Sequence, residues 1–449
     1  MDNQIRDIIF IGSGPSVVFG VLANPELLNK KCLIIEKGKD ITTRDPNEVL
    51  FGFGGAGTFS DGKLVASPHV GGDITNLIPM TDELFYDMAD QVLRKCEEFY
   101  DIGNEIPKEA QVNFDWMEED SYEIPSNKLR MLKSKVCHIG TEVIQGIFLN
   151  MQEYMENNIC PIHYEEEVIN ILPVIDDNEE QLDYYCVETD KGAYYTKKVV
   201  IGIGKRGNLV QKLISQFNLK SKPNKVQVGV RVEAPNIYMK DLIDKFYDYK
   251  VVMNTDLGRF RTFCACGSQE KSAYVAVEKG NDFYSVNGHS YKESVSNGLI
   301  NFGIMGSLDL PYDKDAQVEW MKKVNGNTNN KIMAQNISDF LDKKISTKLN
   351  TPTSMKEEDY RLGNLWLYYP EEVCKELASY LLEFKKNFKL EGHFFAPEIK
   401  LVNPLVEMNE HFEVYPGLHL VGDGSGYARS IVQSGMTGML ACAHLNKEF

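Results

Sequence analysis

Two short, dense apolar runs stand near the start of the chain, DIIFIG (7–12) and CLIIE (32–36), separated by PSVVFGVLANPELLNK. The runs are β-branched, only a few residues long and flanked by polar or small residues, which predicts buried strands. The segment between them carries apolar positions at helical spacing as far as Asn24-Pro25, where the residue before proline disfavours helical backbone. The chain therefore opens as a β-α-β unit. A glycine-dense loop, FGFGGAGTFSDGKL (51–64), follows, and about 81–156 reads mainly as helices, an excursion from the first domain. Strand patterns return over 160–203, which predicts a β-meander laid against the first sheet.

Residues 225–290 read as β-rich, DAQVEWMKKVN and EEVCKELASYLLEFKKNF as helices, and VNGNTNNK (324–331) as a polar linker or exposed turn. A last strand, GLHLVGD (417–423), leads through small residues into a final helix at about 429–445. These patterns place a discontinuous domain at 1–210 and 393–449, with 211–392 inserted as a mixed α/β substrate domain.

The first strand delivers Gly12-Ser13-Gly14-Pro15-Ser16. Glycine at the first position permits a tight turn, glycine at the third lets backbone approach a pyrophosphate, and the next helix offers unpaired N–H groups and its positive end. The third glycine of the usual G-x-G-x-x-G is Val17, so helix–strand packing has to accept a branched side chain. Glu36 ends the second strand 24 residues after Gly12, near the spacing of an acid that receives ribose hydroxyls. In the last motif, Asp423 follows a strand and can accept hydrogen bonds from ligand hydroxyls, and the helix behind it can aim backbone donors at Arg429, Ser430 and Ile431 toward negative charge on a ligand.

Composition changes this picture little. With 449 residues, 43% hydrophobic and 25% charged, the chain is ordinary globular protein of about two domains. The net charge of −17 argues against nucleic acid as the main partner. Nine scattered cysteines do not form a disulfide framework and read as reduced thiols of a cytoplasmic protein. MDNQIRD leads straight into a strand without a leader pattern, and no apolar run approaches the length of about 18 residues that spans a bilayer. His69, His138, His163 and His393 make no compact metal-ligand pattern, so no metal site is expected.

From GFGGAGTFSDGKL onward, and through GSGPS, VVIGIGKRG, VGVRVE, RTFCACG, YSVNGHS and LHLVGDGSGYARSIVQSG, the chain resembles the uncharacterised FAD-dependent dehydrogenases. That family is NAD(FAD)-utilizing dehydrogenase-like, within the glutathione-reductase-like flavoproteins with two dinucleotide-binding domains. The resemblance implies a glutathione-reductase-like FAD-binding Rossmann domain built from both chain ends. It assigns Gly12, Ser13, Gly14, Pro15 and Ser16 to the ADP pyrophosphate, and Glu36 and Lys37 to the adenosine ribose. Gly54, Gly55, Ala56, Gly57, Thr58, Ser60, Asp61 and Lys63 run past the pyrophosphate and flavin face. Val168 offers backbone atoms to adenine. Gly202 and Gly204 stand where an Ala-Thr-Gly-like turn is usual, and Gly422 joins Asp423 in the C-terminal loop.

The function expected is two-electron hydride transfer between flavin N5 and a small organic substrate, with NADH or NADPH as a transient donor over the flavin. The inserted domain is expected to face the isoalloxazine, with Arg261 to hold a carboxylate and His289 to move a proton. His393, Phe394 and Phe395 are candidates for a cavity wall. Cys264-Ala-Cys266 lacks the two-residue spacing of the familiar active dithiol, and in a regular strand such a pair needs local distortion to form a disulfide. Packing or a flavin-facing structural turn is its expected role. The other readings are a flavin-dependent monooxygenase, an RNA-modifying flavoprotein and a non-catalytic FAD-binding protein.

Overall fold

A computed structural model describes residues 4–45, 51–102, 112–119, 122–175, 182–204, 208–246, 248–268, 271–279, 283–292, 295–310 and 314–448. The chain divides into two compact units, Met1–Glu118 with Ser134–Asn224 and Asn403–Phe449, and Glu119–Lys133 with Lys225–Val402.

The first unit is mixed α/β around a largely parallel sheet. β1 (Ile5–Ile11) leads through α1 (Pro15–Leu22) to β2 (Cys32–Ile35), with Ile162–His163 parallel beyond β2. On the other side of β1 lie the parallel strands Ala193–Ile201 and Leu418–Leu420. The order therefore reverses at β1, which in such sheets opens a crevice at the carboxyl ends of the strands. Register sets Ile35, Ile11, Ile201 and Leu420 in one row, so the residues that follow them emerge together.

Side-chain alternation divides these strands between two cores. Ile8, Phe10, Cys32, Ile34 and Val200 pack with α1, the helices Asp82–Asp101 and Thr141–Asn158, and the C-terminal helix Ile431–Glu448. Ile9, Ile11, Leu33, Ile35, Val199 and Ile201 pack on the other face with the helix Leu209–Gln216. Burying each such side chain stabilises by about 1.5–3 kcal/mol before chain entropy is counted, so neither face is left for water. The meander Val168–Ile175, Leu182–Thr189, Ala193–Ile201 is antiparallel, and its last strand runs on into the parallel sheet.

Three boundaries differ from the sequence reading. Between the helices Asp82–Asp101 and Thr141–Asn158, the supposed helical stretch holds short strands at Met117–Glu119, Arg130–Met131 and Ser134–His138. Ser134–His138 pairs with Lys63–Ala66, and Arg130–Met131 with the second unit's sheet. Residues 211–224 stay with the first unit, because Leu209, Val210 and Leu213 belong to its core. His393–Lys400 belongs to the second unit, as an interior strand between Ile332–Asn336 and Val226–Pro235. The polar stretch 324–331 is also partly helix and partly core. The helix Lys314–Asn327 continues into it, Val324 is fully buried, and Asn325 accepts from the Tyr284 N–H at 2.7 Å.

The second unit is an eight-stranded sheet ordered 360–362, 332–336, 393–400, 226–235, 299–308, 258–266, 251–255, 130–131. Its pairs are antiparallel except Ile332–Asn336 with Tyr360–Leu362. Val226, Val228, Val230, Val232 and Ala234 face the helix Glu371–Phe388. Arg231 and Glu233 alternate with them and point to the opposite face. Gly288 of the hairpin Lys271–Lys279/Tyr284–Lys292 lies there, over the Arg231 guanidinium. Among the described residues, no helix is long and apolar enough to cross a membrane.

Candidate functional site

The row of strand ends is where the first unit removes side chains. Gly12 follows β1 with φ +88°, and a Cβ there would stand 2.8 Å from the Gly202 carbonyl oxygen. Gly202 follows Ala193–Ile201, and a Cβ on it would come 2.5 Å from Val17 Cγ2 and 2.8 Å from Ser16 Oγ. The missing third glycine is thus compensated across the sheet: Val17 is tolerated because its neighbour is Gly202. Gly422, φ +66°, lies two residues past Leu418–Leu420, next to the same Ser16 hydroxyl. Ser16 is buried between these loops, as is Ser13, so both side chains serve the turn itself.

α1 begins at Pro15 with Gly14 as its N-cap residue, and the Val17 and Val18 N–H groups both donate to the Gly14 carbonyl. A Cβ on Gly14 would find only the Gly202 oxygen, at 3.6 Å, and one on Gly204 would find nothing within 4 Å. Residues 205–207 of the same motif lie outside the described residues. The glycine loop closes on this turn. Gly54 N–H donates to the Ser13 carbonyl at 2.8 Å, and the Cβ position of Gly55 lies 3.5 Å from Gly14 Cα. Gly57 stands against the Pro15 ring and Phe148. Ala56 lies in the one-turn 3-10 helix Gly55–Gly57; Thr58 and Ser60 donate to Phe53 and Gly57 carbonyls at 2.6 and 2.7 Å, fastening the loop to itself. Asp61 pairs with Lys63 at 3.1 Å.

Glu36 ties the pieces together. One carboxylate oxygen accepts from the Ser13 N–H and Oγ, both at 2.8 Å, and the other from the Gly38 and Gly52 N–H groups at 2.8 and 2.9 Å. Four donors match the lone-pair capacity of a carboxylate. Glu36 is therefore an organiser of the two glycine loops, and a ribose diol would have to displace one of these donors. Lys37 points outward to Glu167 at 2.8 Å, with Phe51 beneath its ammonium. Val168 begins the meander two residues after Glu166, whose N–H binds the Glu36 carbonyl at 3.0 Å. Arg44, which no local motif announces, is buried under the glycine loop and donates to the Phe53 and Gly55 carbonyls at 3.1 and 3.0 Å.

At the C-terminal motif, the Arg429 and Ser430 N–H groups donate to the Gly71 carbonyl at 2.8 and 2.9 Å. Ser430 Oγ caps the Gln433 N–H at 3.1 Å. The chain therefore occupies two of the three donors expected there and leaves Ile431 N–H in the first turn. Buried Gln433 binds the Ser67 and Val70 carbonyls, which holds 67–74 onto the helix. Asp423 sits in the 3-10 turn Gly422–Ser425, with its carbonyl bound by Asn403 Nδ2 at 3.0 Å.

The second unit contains polar groups that no sequence pattern exposes. Arg231, fully buried, makes a two-point pair with Glu398 at 3.1 and 2.6 Å and also binds the Cys264 carbonyl and Asn301. Burial disfavours the charged guanidinium, but the neighbouring groups, Glu398 first among them, outweigh it, so Arg231 is held charged. His393 is also fully buried, with Nε2 3.1 Å from Glu233 and Nδ1 2.8 Å from Thr351 Oγ1, while Ser354 binds Glu233 through N–H and Oγ. It belongs to an internal polar relay, with buried Phe394 and Phe395 beside it. Arg261, half-buried on Gly258–Cys266, and His289, exposed on the hairpin beside Tyr291, lie on different sheets. Among the described residues, no group of three His, Cys, Asp or Glu side chains is placed to hold a metal ion.

No family model matches the chain. An uncharacterised protein of Clostridium beijerinckii is 21% identical over 98% of this chain and 81% of its own length. Among solved structures, glycine oxidase from Geobacillus kaustophilus aligns at TM-score 0.41 and 11% identity, over 99% of this chain and 95% of that one. A geranylgeranyl bacteriochlorophyll reductase-like protein from Thermoplasma acidophilum aligns at TM-score 0.41 and 11% identity, over 99% and 78%. A flavoprotein/dehydrogenase from Cytophaga hutchinsonii aligns at TM-score 0.38 and 12% identity, over 99% and 77%.

Proposed function

We propose that the protein is an FAD-dependent oxidoreductase of glutathione-reductase-like arrangement, acting by two-electron hydride transfer on a small organic substrate with NADH or NADPH as a transient donor. The observation that carries this reading is the meeting of Gly12, Gly202 and Gly422 at adjoining strand ends, with the 52–57 loop closed against Gly14 and Pro15. The Cβ directions of Gly14 and Gly204 are open, which leaves a bare backbone surface that suits a diphosphate and a flat ring.

In this reading the N-terminus of α1 holds the diphosphate, and Gly54–Gly57 flanks it. Glu36 holds the two loops in register and, by releasing one donor, takes the ribose. Val168 lies on the adenine side, Asp423 at the ribityl chain, and Ile431 N–H at the C-terminal helix start points its dipole to negative charge. FAD, when bound, supplies the hydride chemistry at N5. Arg261 remains a candidate for holding a substrate carboxylate and His289 for moving a proton, on chemical type alone.

The absorbance spectrum of the purified protein, followed by acid release and mass identification of the bound group, tests this. A yellow protein that releases FAD is expected. A folded, colourless preparation that refuses added FAD overturns it. Anaerobic bleaching by NADH or NADPH then tests the donor; a flavin bleached by neither removes the nicotinamide step.

A further inference from the structure

The Cys264-Ala265-Cys266 segment lies where Gly258–Cys266 leaves register with Leu299–Leu308. Pairing holds at Phe263 with Gly303 and resumes at Cys266 with Asn301, so one extra residue is inserted on the cysteine strand. Cys264 takes that residue's place in the left-handed region, φ +49°. A side chain pays an energetic penalty there, and the conformation persists only where its surroundings impose it. Here three anchors impose it. The Cys264 carbonyl accepts from Arg231 Nη1 at 2.9 Å, the Ala265 N–H donates to Asp248 Oδ1 at 3.0 Å, and the Gly267 N–H donates to Ser290 Oγ at 2.8 Å. Arg231 is held by Glu398 and Asp248 by Lys250, and all four charged groups are buried.

This bulge supplies the distortion that a regular strand lacks. Cysteines two apart in an unbroken strand have Cα atoms about 6.6 Å apart, at the far edge of disulfide geometry. At this left-handed turn the Cys266 thiol lies 3.5 Å from the Cys264 carbonyl oxygen. A Cβ on Gly288 would overlap Asn301 Oδ1 and stand 2.5 Å from Arg231 Nη1 and 3.1 Å from that sulfur, so glycine in the YSVNGHS strand lets these three groups pack beneath it. Five of the other thiols of the chain are buried. Burial pushes Cys32 and Cys374 up to about 12 and Cys96, Cys160 and Cys442 higher still, which makes them inert. Cys264 is only partly buried, Cys266 is buried next to it, and the Cys264 carbonyl between them is bonded to Arg231.

We propose that Cys264 and Cys266 are a redox-active thiol pair that exchanges with small organic disulfides and closes into an intramolecular disulfide. Cys264 thiolate attacks one sulfur of R–S–S–R; that bond breaks, and one RS⁻ leaves and is protonated by solvent. Cys266, its proton lost to solvent, attacks the Cys264 sulfur and expels the second RS⁻. Two protein thiols are oxidised to one disulfide while one small disulfide is reduced to two thiols, a two-electron exchange. The step is independent of the flavin reading.

Trypsin releases Thr262–Lys271, which holds both of these cysteines and no other. The full-length protein is equilibrated with oxidised and reduced glutathione, acid-quenched, alkylated and digested. The peptide is expected to lose two hydrogens and resist alkylation at ratios where the Cys96 and Cys442 peptides remain alkylated. In denaturant the disulfide population at the same ratio should fall at least tenfold. Cys266→Ser should stop at a glutathione adduct on Cys264, and Cys264→Ser should leave Cys266 alkylatable. Alkylation like that of the buried cysteines, equal oxidation of folded and denatured chain, or adduct formation on Cys266 in the Cys264→Ser variant would overturn the proposal.

Discussion

The two units build polar sites in opposite ways. The first clears side chains from the ends of parallel strands: Gly12, Gly202 and Gly422 let the strand ends close on one another, Gly14 and Gly204 leave backbone open, and the buried Glu36 carboxylate is saturated by chain donors. The second buries charge on one face of its sheet, with Arg231 on Glu398 and His393 on Glu233. Open backbone can receive a ligand without rearrangement. A buried pair of charges instead fixes the conformation of its own neighbours, because its energy depends on both members staying in place. The first design suits holding a group, and the second suits imposing a strained backbone such as that at Cys264.

Four experiments would break or sharpen this contrast. The largest effect is expected in the second unit. Glu398→Gln should cost about 3–5 kcal/mol by leaving Arg231 charged and unpaired, whereas Arg231→Met with Glu398→Leu should recover most of it. Denaturant unfolding followed by circular dichroism measures both, and equal losses in the single and double variants would mean that the charge is not the cause. Next, Gly12→Ala should lower stability by about 1–3 kcal/mol, through positive φ and a Cβ too near the Gly202 oxygen, read as a shift of the urea midpoint. Gly14→Ala should separate holding from folding. Its stability should be unchanged or raised by up to about 1 kcal/mol, because the Cβ has room. Fluorescence titration should nevertheless find FAD bound at least about tenfold more weakly, about 1.4 kcal/mol; unchanged affinity would place the diphosphate elsewhere.

The smallest effect concerns His419. Burial lowers its pKa, outweighing the help of the His411 carbonyl and of Glu413 and Glu448, while Lys198 adds to the lowering. Its Nε2 has no partner among the described residues. A histidine buried neutral binds fewer protons folded than unfolded, so its contribution is complete above the ordinary value of about 6.5 and is lost as pH falls through it. His419→Gln should flatten the acid side of the stability profile relative to the parent, measured as urea midpoints from neutral pH downward; an unchanged slope would remove His419 as the cause.

Legibility followed locality. The opening β-α-β unit could be read because DIIFIG, the glycine turn and CLIIE are neighbours in sequence and their alternation directly encodes two-sided burial. The role of Val17 could not, since the residue that makes room for it, Gly202, lies on another strand. Glu36 was visible as an acid at the right distance, but its four donors come from loops that only the fold assembles. The relay of Glu233 with His393 and the pair of Arg231 with Glu398 join strands separated by 160 and 167 residues, and isolated charges in apolar runs carry no partner information. The boundary at 393 moved for a related reason: HFFAPEIK reads equally well as an edge or as the interior strand that it is.

Near its N-cap, α1 rests on the C-terminal helix so closely that a Cβ on Gly438 would overlap the Ser16 carbonyl oxygen, and Gly20 meets the Gly438 backbone just beyond. Ser16 and Gly438 stand 422 positions apart in the sequence (438 − 16). The glycine turn therefore gains its seat only through a long-range closure, a kind of contact that slows folding because the intervening chain must be ordered first.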